Sequence, residues 1–384
     1  MTEKLYYLDS HLFAFEATVL AAHKEKRGWE IVLDRTAFFP EGGGQPYDTG
    51  VIGPARVLEV HERGGEIVHL CDAALAPGAY ACAVDREKRL RRMQNHSGEH
   101  VFSGLTHKRY GAENVGFHMA EDCMTIDFDR ELSIEQLSEI EYEANLAVRA
   151  NIPVRTFFPS PEELAAMEYR SKKELDGAVR IVEIEGIDRC ACCAPHVRST
   201  GEIGLVKLLG AERHRGGVRL SLLCGMDALD DYRRKQDSAA AISALLSAKR
   251  DEIAPAVERV LENEAKLKER ASILGMRYAA LRADMIAPTE EHICLFDEGL
   301  SEAAGRELVN RLAGKTPGAA ALFLREEAGG WRYIIGSRRI DLRAAAKAIN
   351  VGVSGRGGGR PEMIQGSAAA EAVEIEAFFR SWAV

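Results

Sequence analysis

Two widely separated pairs of metal-ligand residue types constrain this chain more than any other feature. His96 and His100 stand in His-Ser-Gly-Glu-His, and about a hundred residues later Cys192 and His196 stand in Cys-Cys-Ala-Pro-His. Both pairs have i, i+4 spacing, which on a helix puts the two side chains on one face. Zinc favours imidazole nitrogen and thiolate sulfur, usually in a four-coordinate tetrahedral site. A His3Cys set therefore requires a fold that pins these two distant stretches together. One pair would carry little weight in a chain with 11 histidines. Two pairs, one bearing a thiol, point to a metal centre. Cys190 and Cys193 leave the choice of thiol open at the level of spacing, although the i, i+4 register favours Cys192.

The 384 residues suggest two or three domains, ample to bury a core without disulfide staples. The eight cysteines do not read as a disulfide framework. No signal peptide precedes them and three cluster at 190–193, so a reducing cytoplasm is the expected setting. No apolar run approaches about 18 residues, and no membrane span is expected. The net charge of -9 argues against a chain that binds nucleic acid nonspecifically over its whole surface, so the distribution of charge matters more than its sum. Basic residues gather at Arg86–Arg92, at Arg213–Arg219, and at Arg338, Arg339, Arg343 and Lys347.

Residues 1 to about 85 read as short strands separated by Gly-rich turns, which suggests a small barrel. A hairpin is expected around Arg63-Gly-Gly. Asp85 is a plausible N-cap for a helix that carries His96 and His100 to about His107. Phe117 to Phe128 alternates like one strand. Ser133 and Gln136 form a capping-box pattern for a helix ending by Asn151. From about 230 to 286 glycine nearly vanishes and apolar residues recur every three or four positions. Pro255 suits the first turn of a second helix, so this region reads as a helix–turn–helix arm whose apolar stripe needs a partner. After Pro288 the pattern becomes α/β, with strands at 293–296, 319–324 and 331–336 and helices near 301–313, 341–349 and 368–382. Between the last two helices, Gly355 and Gly357–Gly359 with Arg356 and Arg360 suggest a loop able to adopt positive φ and hold phosphate. The expected class is α+β: a β-barrel at 1–88, a zinc-binding α+β domain at 89–228, a helical arm at 229–288 and an α/β domain at 289–384.

Four motifs occur in a fixed order: Phe39-Pro-Glu-Gly-Gly-Gly-Gln-Pro, His96-x-x-x-His100, Cys192-x-x-x-His196-Val and Thr200-Gly-Glu-Ile-Gly. Together they resemble the editing domain of alanyl-tRNA synthetases and of the free-standing AlaX-type trans-editing proteins. Gly357-Gly-Gly-Arg-Pro resembles the DHH-associated domain that follows it, and the helical arm matches the long AlaX form. No Asp-His-His phosphoesterase motif is present, and the chain is too short for a whole synthetase. The resemblance implies hydrolysis of mischarged tRNA(Ala), chiefly Ser-tRNA(Ala) and also Gly-tRNA(Ala). It implies Zn2+ on His96, His100, Cys192 and His196, a catalytic loop of Gly43, Gly44 and Gln45, and a substrate pocket lined by Gly116, Phe117 and His118. The long form also resembles a homodimer through the C-terminal half, and by their clustered charge Arg338, Arg339, Arg343, Arg356 and Arg360 are expected to meet tRNA phosphates. One departure is Cys193-Ala194-Pro195, where the family often has Gly-Gly-Thr.

The chemistry suits these residues. Hydrolysing an aminoacyl ester needs a positioned water and stabilisation of the developing oxyanion, and zinc either lowers the pKa of water or orients the substrate. Four protein ligands usually mark a structural site and three a catalytic one, so His196 is either a displaceable ligand or part of a site that expands. Glu99 faces away from the histidine seam, toward solvent or the second shell. A noncatalytic tRNA-binding module with a structural zinc is the alternative, and a zinc hydrolase of another small ester or amide is a third reading.

Overall fold

The computed structural model describes residues 1–383 apart from 121, 172–177 and 327–328. Packing divides the chain into two compact units, Met1–Ser238 and Ala239–Val384.

In the first unit, six antiparallel strands close on themselves in the order Ala14–Glu25, Gly28–Leu33, Glu66–Cys71, Ala55–Arg63, Gly50–Ile52 and Gly78–Val84. Their inward residues, among them Val19, Ile31, Leu33, Ile52, Val60 and Ile67, fill the interior with Phe38. The Glu66 hairpin turns at Gly64 and Gly65, both at positive φ, as the Arg63-Gly-Gly pattern implies. The chain then enters the helix Arg86–Tyr110, capped by Asp85 accepting from the Lys88 amide. This helix is buried along most of its second half, polar residues included. It packs among the helix Ile134–Ala150 and a four-stranded sheet ordered Val206–His214, Gly217–Cys224, Met124–Phe128, Asn114–Met119. Ser133 and Gln136 form the expected reciprocal cap, and Asn151 ends that helix in the left-handed region. A three-stranded sheet, Val154–Phe157, Ile181–Ile184 and Asp188–Ala191, completes the unit.

The single strand expected over 117–128 is instead a hairpin of Asn114–Met119 and Met124–Phe128. The period-2 pattern continues through both arms of a hairpin, so alternation alone does not locate the turn.

The helix Gly225–Leu246 spans the boundary between the units, and Ser247, at φ 49°, interrupts it before the next helix, Ile253–Met285. Pro255 is the third residue of that helix, where no intrahelical donor is lost. Near its end, Ala279 and Ala283 pack on Leu308, Val309 and Leu312 of the helix Glu302–Leu312. Leu261, Leu267 and Leu274 stay exposed. The second unit is built on a five-stranded sheet ordered Ile293–Asp297, Ala320–Arg325, Trp331–Gly336, Met363–Ala368, Gly355–Arg360.

The last strand corrects the sequence expectation. The glycine-rich segment is an edge strand, paired from Gly355 with Ala368 to Arg360 with Met363, and none of its glycines has positive φ. Close approach is the reason glycine is used at position 357. A Cβ at Gly357 would sit 2.2 Å from the Tyr333 hydroxyl and 2.3 Å from the Gln365 carbonyl. Arg338, Arg339, Arg343, Arg356 and Arg360 are all exposed, the last two on one face of the edge strand by their even spacing.

Candidate metal centre

The long helix presents His96 and His100 one turn apart, both nearly fully buried. Cys192 and His196 reach them differently from the sequence expectation. They do not share a helix face. Residues 192–198 form an irregular segment after the strand Asp188–Ala191. Pro195 removes a donor and restricts the residue before it, so the segment bends and still returns His196 to the thiol. The Cys192 sulfur lies 3.3 Å from Nε2 of His196 and 3.6 Å from Nε2 of His96. One ligand atom from each of the four residues falls within 4.8 Å of every other.

Each imidazole is held by its far nitrogen. Nδ1 of His96 donates to Oε1 of Gln45 at 2.7 Å, and Nδ1 of His100 donates to Asp188 at 2.8 Å. Nδ1 of His196 meets the Ser97 hydroxyl at 3.0 Å. This is how second-shell partners orient histidine ligands, leaving each Nε2 toward the centre. The electrostatics agree. Burial opposes ionisation of the Cys192 thiol, yet His96, His196 and hydrogen bonding from His100 and His196 outweigh it and hold the thiol well below its ordinary value. Burial works against a charged His100, but Asp188 overcomes it and leaves this imidazole strongly basic. Burial pushes His196 down to about 3, so it is a neutral donor. One thiol sulfur and three imidazole nitrogens, one of the rings anchored by a carboxylate, form a donor set suited to a cation.

A second grouping, His100 with Asp188 and Cys190, also has ligand atoms close together. It is the poorer site. Arg170 already engages both Asp188 oxygens, at 2.8 and 3.0 Å, and burial raises the Cys190 thiol to about 11. Burial also raises the Cys193 thiol. Among the three neighbouring cysteines, Cys192 alone has its thiol depressed.

A cavity of about 730 Å³ opens beside this cluster, lined by His96, His100 and Cys192 and by Gly43, Gly44, Val115, Gly116 and Phe117. Gly43 and Gly44 have φ of +59° and +86° in a tight turn closed by Gly42 and Gln45. The Gly44 carbonyl accepts from the Met119 amide, and a Cβ on Gly44 would lie 2.4 Å from the Phe117 carbonyl. The glycine turn is thus pressed onto the Asn114–Met119 strand. Gln45 is 2% exposed, sits behind His96, and its Nε2 is buried without a partner among the described residues. His118 is exposed and lies outside the cavity lining, because alternation along the strand turns it to the opposite side from Phe117.

Glu99 is 1% exposed, so the solvent-facing alternative is overturned. It accepts from Ser103 at 2.7 Å and from Asn114, and its other oxygen is 3.8 Å from Nε2 of His100. Sequence reasoning missed Ser97, Asp188, Arg170 and Asn114. Ser97 adjoins a ligand in the first motif, and Asp188 precedes the cysteine cluster by two residues, but neither spacing singles out a partner.

Residues 179–220 match the model of the threonyl and alanyl tRNA synthetase second additional domain, and residues 289–381 match the DHHA1 domain. An alanyl-tRNA editing protein Aarsd1 from Rattus norvegicus is 25% identical over 366 residues, 92% of this chain and 89% of the relative. AlaX-L from Pyrococcus horikoshii, also an alanyl-tRNA editing protein, is 32% identical over 240 residues, 60% of this chain and 59% of its own length. The chain is thus similar over most of its length to alanyl-tRNA editing proteins of the AlaX type. An alanine–tRNA ligase from Pyrobaculum neutrophilum is 31% identical over 385 residues, which is 95% of this chain and 42% of the ligase. The chain therefore spans less than half of that ligase. Among the described residues no helix is long and apolar enough to cross a membrane.

Proposed function

We propose that this chain is a zinc-dependent hydrolase that deacylates mischarged tRNA(Ala), chiefly Ser-tRNA(Ala) and also Gly-tRNA(Ala). The observation that carries the reading is the adjacency of the His3Cys cluster to a cavity walled by the glycine turn and Phe117. His96, His100, Cys192 and His196 would hold the ion, which when bound supplies Lewis acidity for ester hydrolysis. Gln45 fixes the orientation of His96, and Asp188, anchored by Arg170, fixes His100. Gly43 and Gly44 bring backbone close to the acyl group, and a side chain at Gly44 would collide with Phe117. Selection of serine over alanine rests on a general asymmetry: a site that hydrogen-bonds a hydroxyl rejects the analogue lacking it, because its polar groups are left unpaired.

The alternative, a noncatalytic tRNA-binding protein with a structural zinc, is favoured by one observation, a ligand set already complete for a tetrahedral ion. Release of serine from Ser-tRNA(Ala), compared with Ala-tRNA(Ala) and Ser-tRNA(Ser), separates the two. Fast release from the first alone supports editing. Equal rates from Ser-tRNA(Ala) and Ala-tRNA(Ala) defeat the selectivity, and no release from any leaves the binding module. The exposed arginines Arg338, Arg339, Arg343, Arg356 and Arg360 are assigned to tRNA phosphates, and the exposed leucines of the Ile253–Met285 helix to a homodimer contact.

A further inference from the structure

The cavity is larger than the chemistry beside His96 and Cys192 needs. Its volume of about 730 Å³ falls within the range of about 300–1,000 Å³ that holds whole drug-sized ligands, whereas the acyl group to be removed is a single small residue. The rest of the lining includes Lys4, Tyr7, Phe158 and Arg180. Tyr7 and Phe158 meet edge to face, with centroids 5.6 Å apart at 70°. Tyr7 is itself fixed. Lys4 Nζ lies 5.5 Å and the Arg180 guanidinium 5.4 Å from its ring centroid. Arg180 in turn donates to the carbonyls of Cys192 and Ala194 at 3.0 and 2.9 Å, so the aromatic wall is tied to the segment carrying the thiol ligand. Lys4 is paired with Glu62 at 2.7 Å. These contacts hold Tyr7 in place as a support.

Phe158 is the opposite case. It stands in the short connection between the strand Val154–Phe157 and the helix Pro161–Ala165, and half of it is exposed. A large ring braced on one side and open on the other at the edge of a ligand cavity is the arrangement on which nucleic-acid bases stack. We propose that Phe158, braced by Tyr7, is the platform for the terminal adenine of the aminoacylated tRNA while the acyl group reaches His96, His100 and Cys192. This inference rests on the deacylase reading above. It names the part of the substrate that fills the remaining cavity, and it makes Phe158 a binding residue with no role in the chemical step.

The test uses the full chain loaded with zinc. Phe158→Ala is expected to raise KM for Ser-tRNA(Ala) by roughly 5- to 150-fold, the loss of one stacked base, with kcat and bound metal little changed. Phe158→Tyr restores KM. Adenosine 5′-monophosphate, titrated calorimetrically, is expected to bind the native protein and to lose that binding in Phe158→Ala. Unchanged KM together with unchanged nucleotide binding overturns the proposal while leaving the deacylase reading intact. Should the native protein release no amino acid, that reading fails, and the titration alone decides: binding lost with Phe158→Ala supports the platform, and equal or absent binding overturns it.

Discussion

Asp188→Asn tests whether the cluster is a metal site built with its second shell. Asp188 has a side chain 2% exposed and serves two partners, His100 Nδ1 at 2.8 Å and Arg170 at 2.8 and 3.0 Å. Burial opposes its charge, but His100 and Arg170 prevail and keep its carboxyl below the usual range. The amide keeps the shape and removes the charge, so His100 becomes less basic and its orientation less firmly set. Loss of a second-shell partner typically costs about 10- to 100-fold in metal affinity. At a fixed zinc concentration above the dissociation constant, that equals about 1.4–2.7 kcal/mol of linked stability. Arg170 adds to this, because a buried charge stripped of its partner costs up to about 3–5 kcal/mol. The metal-linked part shows only in zinc and the Arg170 part persists under chelator, so the two separate experimentally. Zinc affinity is read by competition with a chromogenic chelator, and stability by denaturant unfolding with and without zinc. Asp127→Asn is the control. It breaks a carboxylate–arginine pair of similar geometry but greater exposure, to Arg219 at 2.7 and 2.8 Å, away from the cluster. It is expected to leave zinc affinity untouched. If Asp188→Asn binds zinc as tightly as the native protein, the second-shell assignment is refuted.

The thiol assignment predicts that Cys192→Ala loses the metal, while Cys190→Ala and Cys193→Ala keep it; elemental analysis of the purified variants decides. Gly44→Ala introduces a side chain at φ +86° and 2.4 Å from the Phe117 carbonyl, so it should lower stability by at least about 1 kcal/mol and slow deacylation with zinc retained. Normal turnover would remove the glycine turn from the site. Hydrogen bonding to Arg219 lowers the Asp127 carboxyl below its ordinary 3.8. A depressed folded pKa contributes stability above the unfolded value that is lost as pH falls through the folded one, so wild type should lose more stability than Asp127→Asn between about pH 5 and pH 2; parallel curves would exclude this contribution. All four proposed ligands lie within Met1–Ser238, so that fragment should still bind one zinc. If the C-terminal arginines contact phosphates, the fragment should bind tRNA more weakly and with a shallower salt slope, and equal affinity and slope would defeat that assignment.

Local signals determined much of this protein. Asp85, the Ser133–Gln136 box, the glycines at 64 and 65 and Pro255 place helix starts and a turn through contacts within a few residues, which spacing encodes directly. The ligand types were legible for the same reason, since few residues bind zinc and two pairs of them stood out. What the ligands needed to work was decided only by the tertiary structure. Asp188 reaches His100 across 88 positions, Gln45 reaches His96 across 51 and Ser97 reaches His196 across 99; no periodicity in a sequence records a pairing at such range. The same limit explains two of the misreadings of backbone. Cys192 and His196 keep helical spacing but meet through a bend at Pro195, and the Gly355–Arg360 segment, glycine-rich like a loop, is an edge strand in which Tyr333 and the Gln365 carbonyl leave room at Gly357 only for hydrogen. Glycine content states that no side chain fits; only the packed neighbours state why.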